Sequence, residues 1–267
     1  MPEHRRWPRL AARVLPGPLQ RRLRAAVLGR HYRPAVGEVR FGDLRRTAPL
    51  SRQFGFDRGL PVDRYYIGEW LAKHGSDIRG RVLEVGDDSY TRRFGGAGVT
   101  EAEVLHLYGG NPRATYVTDL ASGEGLPDAH FDCLVLIQTL HLVYDVPAAL
   151  RTAYRVLRPG GVLLATFPGI SQRSDDEWAA YWCWAFTSLS ATRLFHECFP
   201  PAGVTVESHG NVLAAVSLLE GIAAEEVSPE ELAIKDPAYE VLLTVRAVKP
   251  RRSGPGAVTG TGPGHGT

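Results

Sequence analysis

Cysteine, lysine and long apolar runs are all scarce in this chain of 267 residues. The three cysteines, Cys133, Cys183 and Cys198, are odd in number and lack metal-ligand spacing. That excludes a disulfide framework and predicts no metal site. Packing is the default role of each, and a reduced cytoplasmic compartment is the expected setting. No apolar run approaches the roughly 20 residues of a membrane-spanning helix. The basic N-terminus is not followed by the continuous apolar stretch of a secretory signal. Of 31 basic residues only Lys73, Lys235 and Lys249 are lysine. The body of the chain has no basic stripe interleaved with aromatics, so nucleic acid is not an expected partner. No G-x-G-x-x-G follows the first strand-like segment, which argues against a nicotinamide dehydrogenase.

What is present is unevenly distributed. Residues 1–50 hold twelve arginines against Glu3, Glu38 and Asp43, a net of +9 in a chain whose total is +2. The rest is therefore acidic. Leu15, Leu19, Leu23 and Val27 recur every fourth residue among these arginines and predict one narrow apolar stripe on a helix. The Pro-Gly-Pro at 16–18 interrupts any longer helix. A solvated helix resting lightly on the body is the favoured reading, and weak contact with an anionic membrane surface is the alternative. Residues 250–267 are Gly, Pro and Thr with almost nothing to bury, and read as a disordered tail. This divides the chain into an Arg-rich extension (1–50), a folded domain (51–249) and a tail (250–267).

The folded region alternates between two periods. Residues 63–75 read as a helix stopped at Gly75. Strand-like segments follow at 81–86, 103–108, 114–120, 131–138 and 162–168. The fourth, FDCLVLIQ, is almost wholly apolar, as a central parallel strand should be. Residues 146–158 read as a helix presenting Ala149, Ala153, Val156 and Leu157 to the sheet. The segment SLSATRLFHECF predicts another helix, capped by Ser188 or Ser190. VTVESHG and YEVLLTVRAV close the domain as strands. Strands alternating with helices imply an α/β parallel sheet.

Three segments in this order, RVLEVG, VTDLASGEGLPDAHFDCLVLIQTLHLVYD and ALRTAYRVLRPGGVLLATFPG, resemble the class I S-adenosylmethionine-dependent methyltransferases of the small-molecule type. The resemblance spans about residues 63–248. It extends to a narrower bacterial group with FGFDRG-x-P-x-DRYYI before the first strand and YTRRFG after it, whose members often stand beside sugar-transfer functions. The resemblance implies a Rossmann-like, doubly wound, mainly parallel sheet of seven strands with the last antiparallel, and S-adenosyl-L-methionine as cofactor. It places Glu84, Gly86, Asp87 and Asp88 in the cofactor loop. It gives Asp119 and the backbone of Leu120 to adenine, and sets Gln138 and Thr139 beneath the sulfonium. Ligands of such sheets lie at the carboxyl ends of the strands, and Gly86 ends the first strand there with a freedom no side chain allows.

Two departures stand out. The family pattern has glycine at positions 88 and 90, where this chain has Asp88 and Tyr90. One reading pairs Asp88 with the cofactor's ammonium while Arg92 or Arg93 neutralises its carboxylate. The acid that family members carry at the end of the second strand, for the ribose, is also missing. His106, Asn111, Asp87 and Asp88 are the available substitutes, and none stands out.

Methyl transfer from a sulfonium is a direct displacement, which needs alignment and sometimes a base. His141 is the best base candidate, ahead of Tyr144 and Asp145. Residues 174–190 are the expected lid over the acceptor, with Trp178, Tyr181, Trp182 and Trp184 either stacking on a ring or forming simple core. The expected function is methyl transfer to a hydroxyl or amine of a small molecule, glycan or other natural product. The alternative is a methyltransferase-fold scaffold that has lost its cofactor and docks a sugar-transfer or biosynthetic enzyme.

Overall fold

The structure is a computed structural model. It describes residues 33–251 and, before them, Pro16, Leu19, Arg22, Leu23, Ala26, Val27 and Gly29. The tail from residue 252 onward and Leu15 of the apolar stripe lie outside the described residues. Two compact units are present, Met1–Thr47 and Ala48–Thr267. In the first, Leu19, Leu23 and Val27 are each about two-fifths exposed. The first two and Val27 have helical backbone, as their four-residue spacing predicts.

The second unit is built on seven strands: β1 (Gly80–Val85), β2 (Val99–His106), β3 (Tyr116–Val117), β4 (Phe131–Ile137), β5 (Leu157–Pro168), β6 (Val204–His209) and β7 (Leu242–Val248). They form one sheet in the order β3-β2-β1-β4-β5-β7-β6. The pairs from β3 across to β5 are parallel, and β7 runs antiparallel to both its neighbours. The chain winds outward from β1 in one direction and from β4 in the other. The crevice between their carboxyl ends is therefore the switch point at which ligands of open α/β sheets bind.

Both faces of the sheet are covered. In β4 the alternation of side chains sends Leu134 and Leu136 to one core and Cys133 and Val135 to the other. The first core is closed by helices α3 (Val146–Val156) and α4 (Ser188–His196). In α3, Ala149, Ala153 and Val156 are fully buried as the periodicity requires, and Leu157 already belongs to β5. Asp145 caps α3, accepting from the Ala148 amide at 2.9 Å. The second core is closed by α1 (Val62–His74) and α5 (Val212–Glu220). Between them in the chain lies the short α2 (Ser89–Phe94), and α6 (Pro229–Ala233) follows α5.

Some boundaries differ from the sequence-based expectation for local reasons. The cap of α4 is Thr187, one residue earlier than Ser188, and Ser190 completes the reciprocal capping pair from the third helical position. β3 shrinks to two residues, because the chain turns at Asn111 before it and at Asp119 after it. Helices α2 and α5 have no counterpart in the sequence reading. The first hides in the cofactor-loop motif, and the second is apolar on nearly every side and so shows little periodicity.

Candidate functional site

β1 ends at Val85 and the chain leaves it through Gly86, whose φ is +94°. A Cβ built at Gly86 meets no atom within 4 Å. Gly86 donates its amide to the Leu105 carbonyl at 2.9 Å, so the loop stays tied to β2. The next residues turn into α2. Glu84, 2% exposed, sits beneath this turn and accepts from the amides of Tyr90 (3.1 Å) and Thr91 (2.8 Å). It thus holds the N-terminus of α2, where the free amides and helix dipole favour an acceptor. Burial nevertheless dominates and raises its carboxyl to about 7.

The two residues that depart from the family's glycines do not obstruct the crevice. Asp88 is 5% exposed and paired with Arg92 at 2.6 Å and Arg113 at 3.4 Å. Arg92 therefore serves Asp88 itself, which corrects the expectation that it meets a cofactor carboxylate while Asp88 meets an ammonium. Tyr90 packs against the second core and stacks on Phe94, with ring centroids 6.4 Å apart. Asp87 accepts from the Ser89 amide at 2.8 Å. Asn111, in the short β2–β3 connection, donates to the Gly86 carbonyl at 2.9 Å and accepts from the Arg113 amide at 3.0 Å. That connection, with no helix of its own, pins the β1–α2 loop from the side.

A cavity of about 540 Å³ opens at the switch point. Gly86, Asp119, Leu120 and Thr139, four of the candidate cofactor residues, line it. Asp119 shapes its own turn, one carboxylate oxygen accepting from the Ala121 amide at 2.8 Å. Glu84, Asp87, Asp88, Gln138 and His141 are not among the lining residues. Gln138 holds a positive φ of +49° and donates its amide to the Thr166 carbonyl at 2.9 Å. Its bend delivers Thr139 to the cavity wall. A non-glycine residue in this region is strained and often marks a functional turn.

His141 is 2% exposed, and its Nδ1 has no hydrogen-bond partner among the described residues. Burial, with the positive charge of Arg64 adding to it, lowers the imidazole to about 3. A group so far below neutral is a poor general base. What His141 does visibly is hold the lid. Its carbonyl accepts from the amides of Cys183 (2.9 Å) and Trp184 (3.2 Å), and its ring lies 4.4 Å from that of Trp182. Trp182 also stacks on Phe54, with ring centroids 6.1 Å apart.

The lid aromatics divide between packing and exposure. Trp178 and Trp184 are 41% and 40% exposed, which removes them from the core. Trp178 and Tyr181 line the cavity, together with His106, Leu107 and Tyr108 from the end of β2 and with Leu142–Asp145 after β4. The Tyr108 and Tyr181 hydroxyls meet at 2.6 Å. Trp184 donates its indole N–H to the Val143 carbonyl at 3.0 Å and stacks on Tyr144, which is 78% exposed. Tyr108 escapes the sequence reading. Its only signal is position, two residues beyond His106 at the end of β2.

Comparison with known proteins agrees with this geometry. The family model described as "Methyltransferase domain" matches residues 101–165. A ubiquinone/menaquinone biosynthesis C-methyltransferase of Caulobacter sp. (strain K31) is 29% identical over 151 residues, covering 57% of this chain and 52% of that protein. A probable S-adenosylmethionine-dependent methyltransferase of Mycolicibacterium smegmatis is 30% identical over 164 residues, covering 59% of this chain and 63% of its own length. The chain thus spans between half and two thirds of these curated relatives. Among solved structures, a SAM-dependent methyltransferase from Archaeoglobus fulgidus aligns with a TM-score of 0.48 at 12% identity, covering 70% of this chain and 94% of that one. The strand order 3-2-1-4-5-7-6, the antiparallel β7 and the family model matching residues 101–165 together support a class I S-adenosylmethionine-dependent methyltransferase.

Proposed function

We propose that this chain transfers the methyl group of S-adenosyl-L-methionine to a hydroxyl or amine of a small-molecule acceptor. The observation that carries the reading is the cavity above Gly86, bounded by Asp119 and Leu120 on one side and Thr139 on the other. A site that had decayed into a scaffold would have let side chains fill that space. Here Asp88 and Tyr90, the residues that suggest such decay, pack elsewhere.

The residues present suit the cofactor. Asp119 offers a carboxylate to the adenine amino group, and Leu120 an apolar surface beside it. Gly86 leaves room for a ligand against the backbone. No lysine or arginine lines the cavity, while Asp119 and Asp145 do, so the wall suits a cationic ligand. When bound, S-adenosylmethionine supplies an electrophilic methyl group on its sulfonium. The protein's part is then orientation and exclusion of water. His141 secures the lid that does the excluding.

The exposed Tyr144–Trp184 stack at the rim offers a flat apolar platform for a ring-bearing acceptor.

The test is calorimetric titration with S-adenosylmethionine and S-adenosylhomocysteine, followed by an acceptor screen with labelled methyl donor. Saturable binding that Gly86→Trp abolishes supports the reading. Absence of binding by folded protein, free of copurified nucleoside, rejects it. Trp184→Ala should raise the acceptor KM several-fold and leave cofactor affinity unchanged.

A further inference from the structure

The end of β2 carries no acid for a ribose, and the other polar groups near it are engaged. Asn111 is bonded at both ends of its amide, to the Gly86 carbonyl and the Arg113 amide. Asp87 caps the Ser89 amide, and Asp88 is held between two arginines. His106 has its Nδ1 against the backbone of Tyr108, 2.8 Å from the carbonyl oxygen. The lid fills the gap. It is expected to sit over the acceptor, yet Tyr181 reaches to the end of β2 and meets Tyr108 hydroxyl to hydroxyl at 2.6 Å. Trp178 packs edge-on to Tyr181, with centroids 6.4 Å apart. Tyr108, Trp178 and Tyr181 line the same cavity as Asp119, Leu120 and Ala121.

We infer that Tyr108, Tyr181 and Trp178 form a clasp over the nucleoside of the cofactor, replacing the missing ribose acid. The inference rests on the methyl-transfer reading and assigns three residues to its cofactor subsite. Its chemistry follows from the groups present. An aromatic face stacks on a purine whatever its hydrogen-bonding edge, and such stacks contribute appreciably to base binding. Two phenol hydroxyls supply both donors and acceptors, and they can bond ribose hydroxyls without adding charge. The hydroxyl pair also links the lid to the sheet, so the nucleoside enters and leaves only when that link opens. Cofactor release is then governed by lid opening.

The experiment uses the full chain without acceptor. S-adenosylhomocysteine and 5′-methylthioadenosine, which keeps the nucleoside and lacks the amino acid, are titrated against wild type and against Tyr108→Phe, Tyr181→Phe, the double variant and Trp178→Ala. Each Tyr→Phe variant should weaken both ligands about fivefold and speed dissociation of S-adenosylhomocysteine in stopped flow. The double variant should be little weaker than either single one, because the two hydroxyls act as a pair. Trp178→Ala should cost about tenfold for both ligands. Tyr108 and Trp178 are exposed, so these substitutions leave the core intact, and circular dichroism checks the fold of each variant. Unchanged affinity for both ligands in the Tyr→Phe and Trp178→Ala variants would overturn the clasp and return the lid to the acceptor. Loss confined to S-adenosylhomocysteine would also overturn it, since the nucleoside would not be what the clasp holds. If wild type binds neither ligand, the methyl-transfer reading itself fails and the clasp with it.

Discussion

Glu84 is a carboxylate buried under a turn and held by two amides, with its folded-state value raised from 4.5 to about 7. Native protein therefore keeps a proton on Glu84 over a range in which the unfolded chain has released it. The stability this confers is complete below about pH 4.5 and is lost as pH rises through 7. Glu84→Gln cannot ionise. Wild type should thus lose stability relative to the variant between pH 4.5 and 8, measured by chemical denaturation at a series of pH values. Parallel profiles would mean that Glu84 ionises in the fold as readily as in water. Asp119 is the second residue with a distinct expectation. Its exposed carboxylate uses one oxygen in its own turn and lines the cavity with the rest. Asp119→Ala should weaken S-adenosylhomocysteine at least tenfold, about 1.4 kcal/mol. Unchanged affinity would remove it from the adenine subsite and leave it a turn former.

At the scale of elements, the β2–β3 connection does work that a helix does in a longer chain. Asn111 is its hinge pin, joining the Gly86 carbonyl to the Arg113 amide, and Arg113 in turn faces Asp88. Asn111→Ala should destabilise the protein by about 1–2 kcal/mol, as the loss of hydrogen bonds at a partly buried site does. It should also weaken S-adenosylhomocysteine through the loosened loop, which calorimetry beside thermal melts would separate. Normal affinity with lowered stability would show that the loop keeps its shape without the pin. The elements themselves were largely legible. Alternation of apolar runs and 3.6-residue periods locates β1, β4, β5, α1 and α3, because each has one buried face or two. Gly86 and Asp119 were legible as strand ends at a switch point. The turn of Asp88 and Tyr90 away from the crevice was not. It depends on α2 starting at Ser89, a helix whose stability comes from Glu84 beneath it and not from its own pattern. Nor was the Tyr108–Tyr181 contact, which joins residues 73 apart in the sequence and leaves no local trace.

At the scale of the whole chain, charge and site are separated. Every residue lining the cavity falls between Val85 and Cys183, inside the second unit. Residues 1–35 carry nine arginines and one acid, a net of +8, so removing them takes the formal charge from +2 to −6. A truncated chain should keep its fold and bind S-adenosylhomocysteine as tightly as the full chain. It should change sign on ion exchange, since net charge governs such behaviour and not the fold. Among the described residues of the leader, Leu19, Leu23 and Val27 are exposed, an apolar surface that a membrane could take up. Co-sedimentation with vesicles containing anionic lipid, for both forms, tells the two roles of the leader apart. Binding by the full chain alone would make it a surface anchor, and equal behaviour would leave it a solvated helix. A large loss of cofactor affinity on truncation would instead place part of residues 1–35 in the site, and the boundary between the units would have to be redrawn.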